Sequence, residues 1–108
     1  VWAVFQPFTY SRTVRHFDGF VQSLSSADKV VLSDIMGSRE VNKWGVSSEQ
    51  LAKRIRGAVF LPEFEQIADY VSANAAEGDL VLTMGGGDIY KCARMIVNLL
   101  KQKVGHTV

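Results

Sequence analysis

Four short apolar runs, Val1–Phe5, Lys29–Ser33, Ala58–Leu61 and Asp79–Met84, alternate along this chain with stretches whose apolar residues recur at helical spacing. No other property narrows its architecture as far. A run without polar alternation predicts a strand buried on both faces, the habit of parallel sheets. Parallel neighbours need a crossover of a dozen or more residues, usually a helix, and the helical stretches here are placed to supply one each time. Right-handed crossovers then leave an α/β architecture: a Rossmann-like, doubly wound, mostly parallel sheet with helices on both faces. The order of the strands is not legible.

The punctuation agrees. Gln6-Pro7 ends the first run, because Pro has no N–H to give to a ladder. From Ser11 the period becomes helical, with Val14, Phe17, Val21 and Leu24 on one face of a helix reaching about Ser25. A loop runs from Asp34 to about Ser47. Ser47 and Gln50 form a capping-box pattern opening a short helix, with Leu51 and Ile55 inward. Gly57 stops it before the third run. Phe64, Ile67, Ala68, Val71 and Ala75 mark the next helix, closed by Gly78. Gly85-Gly86-Gly87 follows the fourth run, and a last helix starts at Asp88 with Ile89, Cys92, Ile96 and Leu100 on its core face.

Composition bounds the partners. The 108 residues suffice for one domain, and 47% hydrophobic residues supply a core without disulfides. Twelve Lys and Arg against eleven Asp and Glu leave a net charge of +1, too balanced for a grip on nucleic acid or an anchor on acidic lipid. The single Cys excludes a disulfide framework and a cysteine-built zinc site. No apolar run nears the ~18 residues of a membrane helix. Neither nucleic acid nor membrane is therefore expected as a partner. The chain lacks an initiator Met and opens inside an apolar run, which reads as the cut edge of a longer polypeptide.

Ligands of doubly wound sheets sit at the carboxyl ends of the strands, so four segments are candidates: Gln6–Thr13, Asp34–Gly45, Pro62–Glu63 and Gly85–Asp88. A glycine-rich turn lets backbone N–H groups approach an anion at a helix start, which makes Gly85, Gly86, Gly87 and Asp88 candidate ligand contacts. The other reading is a tight turn with Asp88 as N-cap. The turn is not a P-loop, because Lys91 lies between Tyr90 and Cys92 without the required Ser or Thr. Nor is it a dinucleotide fingerprint, since Tyr90 replaces the third glycine and too few residues follow.

Arg12 offers a bidentate donor for a carboxylate or phosphate; as a first-turn cation it gains nothing from the helix dipole. Thr9 and Ser11 are read as helix caps before ligand contacts. Asp34, at a strand end, is equally a ligand contact or a turn cap. Trp44 is read as local packing rather than a lid. Cys92 shares a face with Ile89 and Ile96 and reads as core, and His16 and His106 complete no metal-ligand spacing.

Taken in order, these segments resemble the C-terminal domain of the Mur ligases. The residues that carry the resemblance are Val4-Phe5-Gln6-Pro7 with Thr9-Tyr10-Ser11-Arg12-Thr13, then Asp34-Ile35 with Gly37-Ser38-Arg39-Glu40, Gly45-Val46-Ser47, and Gly78-Asp79 with Val81-Leu82-Thr83-Met84-Gly85 and Gly87-Asp88-Ile89. The resemblance implies one domain, 1–108, of a three-domain, ATP-dependent ligase of peptidoglycan synthesis in the bacterial cytoplasm. It implies UDP-N-acetylmuramate, L-alanine and ATP as substrates, with ATP and Mg2+ held mainly by the central domain, and an acyl-phosphate mechanism. The domain alone is then expected to be inactive, with no catalytic residue and no metal of its own. By the same resemblance Arg12, with Thr9 and Ser11 beside it, turns a cation toward the amino-acid carboxylate or the anionic intermediate, and the loop from Asp34 to Glu40 and the Gly85–Asp88 turn shape the amino-acid side of the closed site. Phe8, Thr9 and Tyr90 depart from the family's usual residues. A ligase of the same family that recycles murein tripeptide, and a free-standing phosphate-binding module, are the alternatives.

Overall fold

The computed structural model describes residues 1–7, 9–36, 42–76, 78–85 and 89–105, the last four of these as backbone only. The apolar runs form strands β1 (Trp2–Gln6), β2 (Lys29–Leu32), β3 (Val59–Phe60) and β4 (Val81–Gly85). All neighbours are parallel, in the order β3-β2-β1-β4. The helices are α1 (Tyr10–Arg15), α2 (Phe17–Leu24), α3 (Ser48–Lys53), α4 (Phe64–Asn74) and α5 (Ile89–Gly105). The expected α/β, doubly wound architecture is present.

Side chains alternate across a strand, and β1 divides its residues between two cores accordingly. Trp2 and Val4 join Val31 beneath α4 and α5, against Ile67, Ala68, Val71, Ile89, Cys92 and Ile96. Ala3 joins Val30 and Leu32 on the other face, against Leu24 of α2 and Leu51 and Ile55 at α3. The six-residue α3 is too short to persist alone. Its Ser47–Gln50 capping box closes as the sequence predicts, with Gln50 N to Ser47 Oγ at 3.2 Å and Ser47 N to Gln50 Oε1 at 3.2 Å. Fully buried Leu51 adds about 1.5–3 kcal/mol of transfer free energy.

Three expectations are corrected. The helix from Ser11 to about Ser25 is two helices, because His16 leaves helical geometry at φ −112° and ψ 19°. That joint rephases α1 against α2, so Val14 is exposed while Thr13 is buried. Thr13 tolerates burial because its hydroxyl donates to Thr9 O at 2.6 Å. The fourth run is not buried on both faces: β4 is an edge strand, and Leu80, Leu82 and Met84 are exposed. Trp44 is 46% exposed, which does not fit its reading as packing.

Candidate functional site

The strand order fixes where a ligand is expected. From β1 the chain proceeds to β2 and β3 on one side, then crosses by α4 to β4 on the other. The order reverses between β1 and β4, and in such sheets the crevice lies outside the carboxyl ends at that switch. Gln6 of β1 and Gly85 of β4 are paired in register there.

Gln6 is 5% exposed, a polar side chain closing an otherwise apolar strand. Gly85 stands so close that a Cβ on it would lie 2.7 Å from Gln6 O and 3.3 Å from Gln6 Cβ, at φ +155°. A side chain at position 85 is incompatible with that approach. Gly85 therefore has a packing role that does not depend on any ligand.

Beside Gln6 a cleft of ≈ 330 Å³ opens, lined by Asp34, Ile35, Met36 and residues 62–65. Backbone hydrogen bonds continue the ladder past the strand ends and hold its walls. Ser33 N donates to Phe5 O at 3.1 Å, Met36 N to Pro7 O at 2.9 Å, and Leu61 N to Leu32 O at 2.9 Å. At the start of α4, Glu63 N donates to Gln66 Oε1 at 3.1 Å. Asp34, Glu63 and Glu65 are exposed on the cleft, and the described residues that line it include no cation. Such a wall accepts hydrogen bonds and suits an ammonium group better than a phosphate.

The cation is elsewhere. Arg12 is exposed on α1, outside the lining of the cleft, and forms no ion pair among the described residues. Thr9 is the N-cap of α1, its Oγ1 accepting from Arg12 N at 3.3 Å, which matches its reading as a cap. Ser11 is half-buried on the first turn. Gly86, Gly87 and Asp88 lie outside the described residues, as do Phe8, Arg39, Glu40 and His106. Of the candidates named from sequence, the structure thus joins Asp34 to Gln6 in one cleft and sets Gly85 against Gln6.

Cys92 is core, as expected. It is fully buried, its Sγ donates to Phe64 O at 3.8 Å, and burial pushes the thiol up to about 11. A thiol so placed is not a nucleophile. Among the described residues no three His, Cys, Asp or Glu side chains converge to hold a metal ion. With no P-loop in the chain either, the described residues do not fit Mg2+ or the phosphates of ATP.

From sequence Gln6 stood only as the first residue of the Gln6–Thr13 segment, and Glu65 fell outside the candidate segments. Gln6 had a signal: a polar residue in the last pair of a buried strand, beside the end of the chain's most apolar run. Glu65 had none, since its position on the cleft depends on where α4 crosses the sheet.

The family described as Mur ligase, glutamate ligase domain, matches residues 1–87. Among curated proteins, the UDP-N-acetylmuramate–L-alanine ligase of Acetivibrio thermocellus is 43% identical over 101 residues, 90% of this chain and 22% of that protein. The ligase of the same name from Caldicellulosiruptor saccharolyticus is 43% identical over 102 residues, 91% of this chain and 22% of its own. That of Lachnospira eligens is 48% identical over 95 residues, 84% and 21%. The chain spans about a fifth of the length of these relatives.

Proposed function

The chain belongs to the Mur ligase family, and from that premise we propose that it is the C-terminal domain, 1–108, of an ATP-dependent ligase joining L-alanine to UDP-N-acetylmuramate. The observation that carries the reading is the identity of 43–48% to ligases of that name over most of this chain. The remaining four-fifths of such a polypeptide would bind the UDP-sugar, ATP and Mg2+, which suits the poor fit of the described residues to those groups. Nucleotide and UDP-sugar substrates go with a place in the bacterial cytoplasm; among the described residues no helix is long and apolar enough to cross a membrane.

In this reading the domain forms the amino-acid wall of the closed site. The lactyl carboxyl, activated as an acyl phosphate, is attacked by the amine of alanine. A C–N bond forms, the C–O bond to phosphate breaks, and the ammonium proton is lost. Arg12 holds the alanine carboxylate, for which its exposed guanidinium, in no ion pair among the described residues, is suited. Asp34 and Glu63 on the cleft present acceptors to the ammonium. Alone, the domain lacks the activated partner and turns over nothing.

Arg12→Ala in the full-length ligase tests this assignment. An exposed substitution changes stability by only ~0.5 kcal/mol, so thermal unfolding stays at the wild-type midpoint. Ligation of alanine falls at least about 100-fold, as loss of a charge-assisted contact of ~3 kcal/mol requires. Wild-type turnover in the variant would refute the role. An upstream reading frame without a Gly-Lys-Ser/Thr P-loop would refute the domain assignment itself.

A further inference from the structure

Helix α5 carries two unlike surfaces on either side of Asn98. On one side, α4 and α5 bound a groove of ≈ 290 Å³, with Ala68, Met95 and Leu99 in it and Glu65 and Asp69 on its rim. On the other, a hollow of ≈ 360 Å³ is lined by Ala93, Arg94, Val97 and Lys101. Asn98 borders both. Val97 is 48% exposed, a solvated apolar side chain between two cations. Among the described residues none of Glu65, Asp69, Arg94 and Lys101 forms an ion pair, although Arg94 stacks 5.5 Å from the Tyr90 ring.

These surfaces fit each other. A basic ridge with one apolar knob adjoins an acidic groove with an apolar floor, at the same level of one helix. One molecule cannot bring them together, because both face outward from α5, but two copies can. A two-fold axis across α5 would set ridge on ridge and repel. An axis along α5 sets the ridge of each copy over the groove of the other, as an isologous contact requires. We propose that this chain self-associates through α5, two copies lying with their α5 helices parallel and Asn98 near the axis. Val97 of each copy fills the other's Met95–Leu99 groove, while Arg94 and Lys101 meet Glu65 and Asp69. The contact rests on one helix face, so it belongs with the small, weak interfaces.

The test is sedimentation of the 108-residue chain from micromolar to millimolar concentration, with circular dichroism on each variant as the folding control. The wild type shifts to dimer with concentration, and added salt weakens the shift. Glu65→Lys with Asp69→Lys, and separately Arg94→Glu with Lys101→Glu, weaken association at least about tenfold. An equimolar mixture of these two variants restores it as a heterodimer, because both contacts are again of opposite sign. Val97→Asp, at an exposed position, also abolishes it. A wild type that stays monomeric at millimolar concentration overturns the proposal. So does a dimer indifferent to both reversals, which would lie elsewhere, as on the exposed edge of β4.

Discussion

Gly85→Ala is the substitution whose effect the geometry determines most directly. The added Cβ would sit 2.7 Å from Gln6 O, with Gln6 Cβ at 3.3 Å and Ile89 Cγ2 at 3.5 Å. Ordinary contact begins near 3.4 Å, so the deficit falls on a main-chain oxygen that cannot rotate away. Relief requires β1 and β4 to separate at the Gln6–Gly85 pair, loosening the end of the ladder. Overpacking of this kind costs about 1–3 kcal/mol. Holding a residue with a Cβ at φ +155° costs a further ~1–3 kcal/mol. Reduced freedom of the unfolded chain returns about 0.4–1 kcal/mol. The balance is a loss of about 2–4 kcal/mol, since the backbone relieves part of both terms at once. At about 4–8 °C per kcal/mol for a domain of this size, the midpoint falls by roughly 8–32 °C.

Thermal unfolding followed by circular dichroism measures that fall, and Gly57→Ala separates its two causes. Gly57 also has a positive φ, +77°, but its added Cβ would meet nothing within 4 Å. That variant bears the conformational cost without the clash. Gly85→Ala is expected to be the more destabilised of the two. Equal midpoints, or a Gly85→Ala variant within a degree of wild type, would refute it.

Two further outcomes follow from side-chain contacts. The Asp79 carboxylate accepts from Ala76 N at 2.7 Å and from Trp2 Nε1 at 3.2 Å, and these bonds hold it below the ordinary value of about 3.9. A depressed pKa stabilises the fold above the unfolded value and loses that contribution as pH falls through the folded one. The stability gap between wild type and Asp79→Asn should therefore narrow below about pH 4 in denaturant titrations; a gap that widens there contradicts the assignment. Ser47→Ala removes the hydrogen bond to Gln50 N and should cost about 1 kcal/mol in the same titrations, against no change if α3 is held by Leu51 alone.

Local chemistry made most of the fold legible. The capping box at Ser47 and the buried positions Ile67, Ala68, Val71, Ile89, Cys92 and Ile96 follow from spacing or turn chemistry within a few residues, whereas α3 stops at Lys53, four residues before Gly57. What failed was long-range. Val14 has the right spacing for the face of Phe17, but a break at His16 turns it outward, and nothing local in the sequence announces that break. β1 and β4 are both mainly apolar, yet one lies at the centre and the other at the edge, so Val4 is fully buried while Leu82 is 44% exposed. Burial on both faces requires neighbours on both sides, and neighbours are set by topology. The site divides the same way: Asp34 and Pro62–Glu63 were visible as strand ends, whereas their meeting in one cleft depends on β3 lying beside β2.

The order β3-β2-β1-β4 also changes what the first glycine of Gly85-Gly86-Gly87 is for. A phosphate cradle needs glycine so that a ligand can approach the backbone. At position 85 the approaching backbone belongs to the protein itself, the carbonyl of Gln6. Gln6 in turn lines the cleft between the ends of β1, β2 and α4. A side chain at 85 would displace Gln6 and so alter the cleft from behind, without touching whatever occupies it. Gly85 is accordingly a positioning residue for Gln6. Its variants should lose fold stability and site geometry together, whereas changes at Arg12 should affect ligation alone.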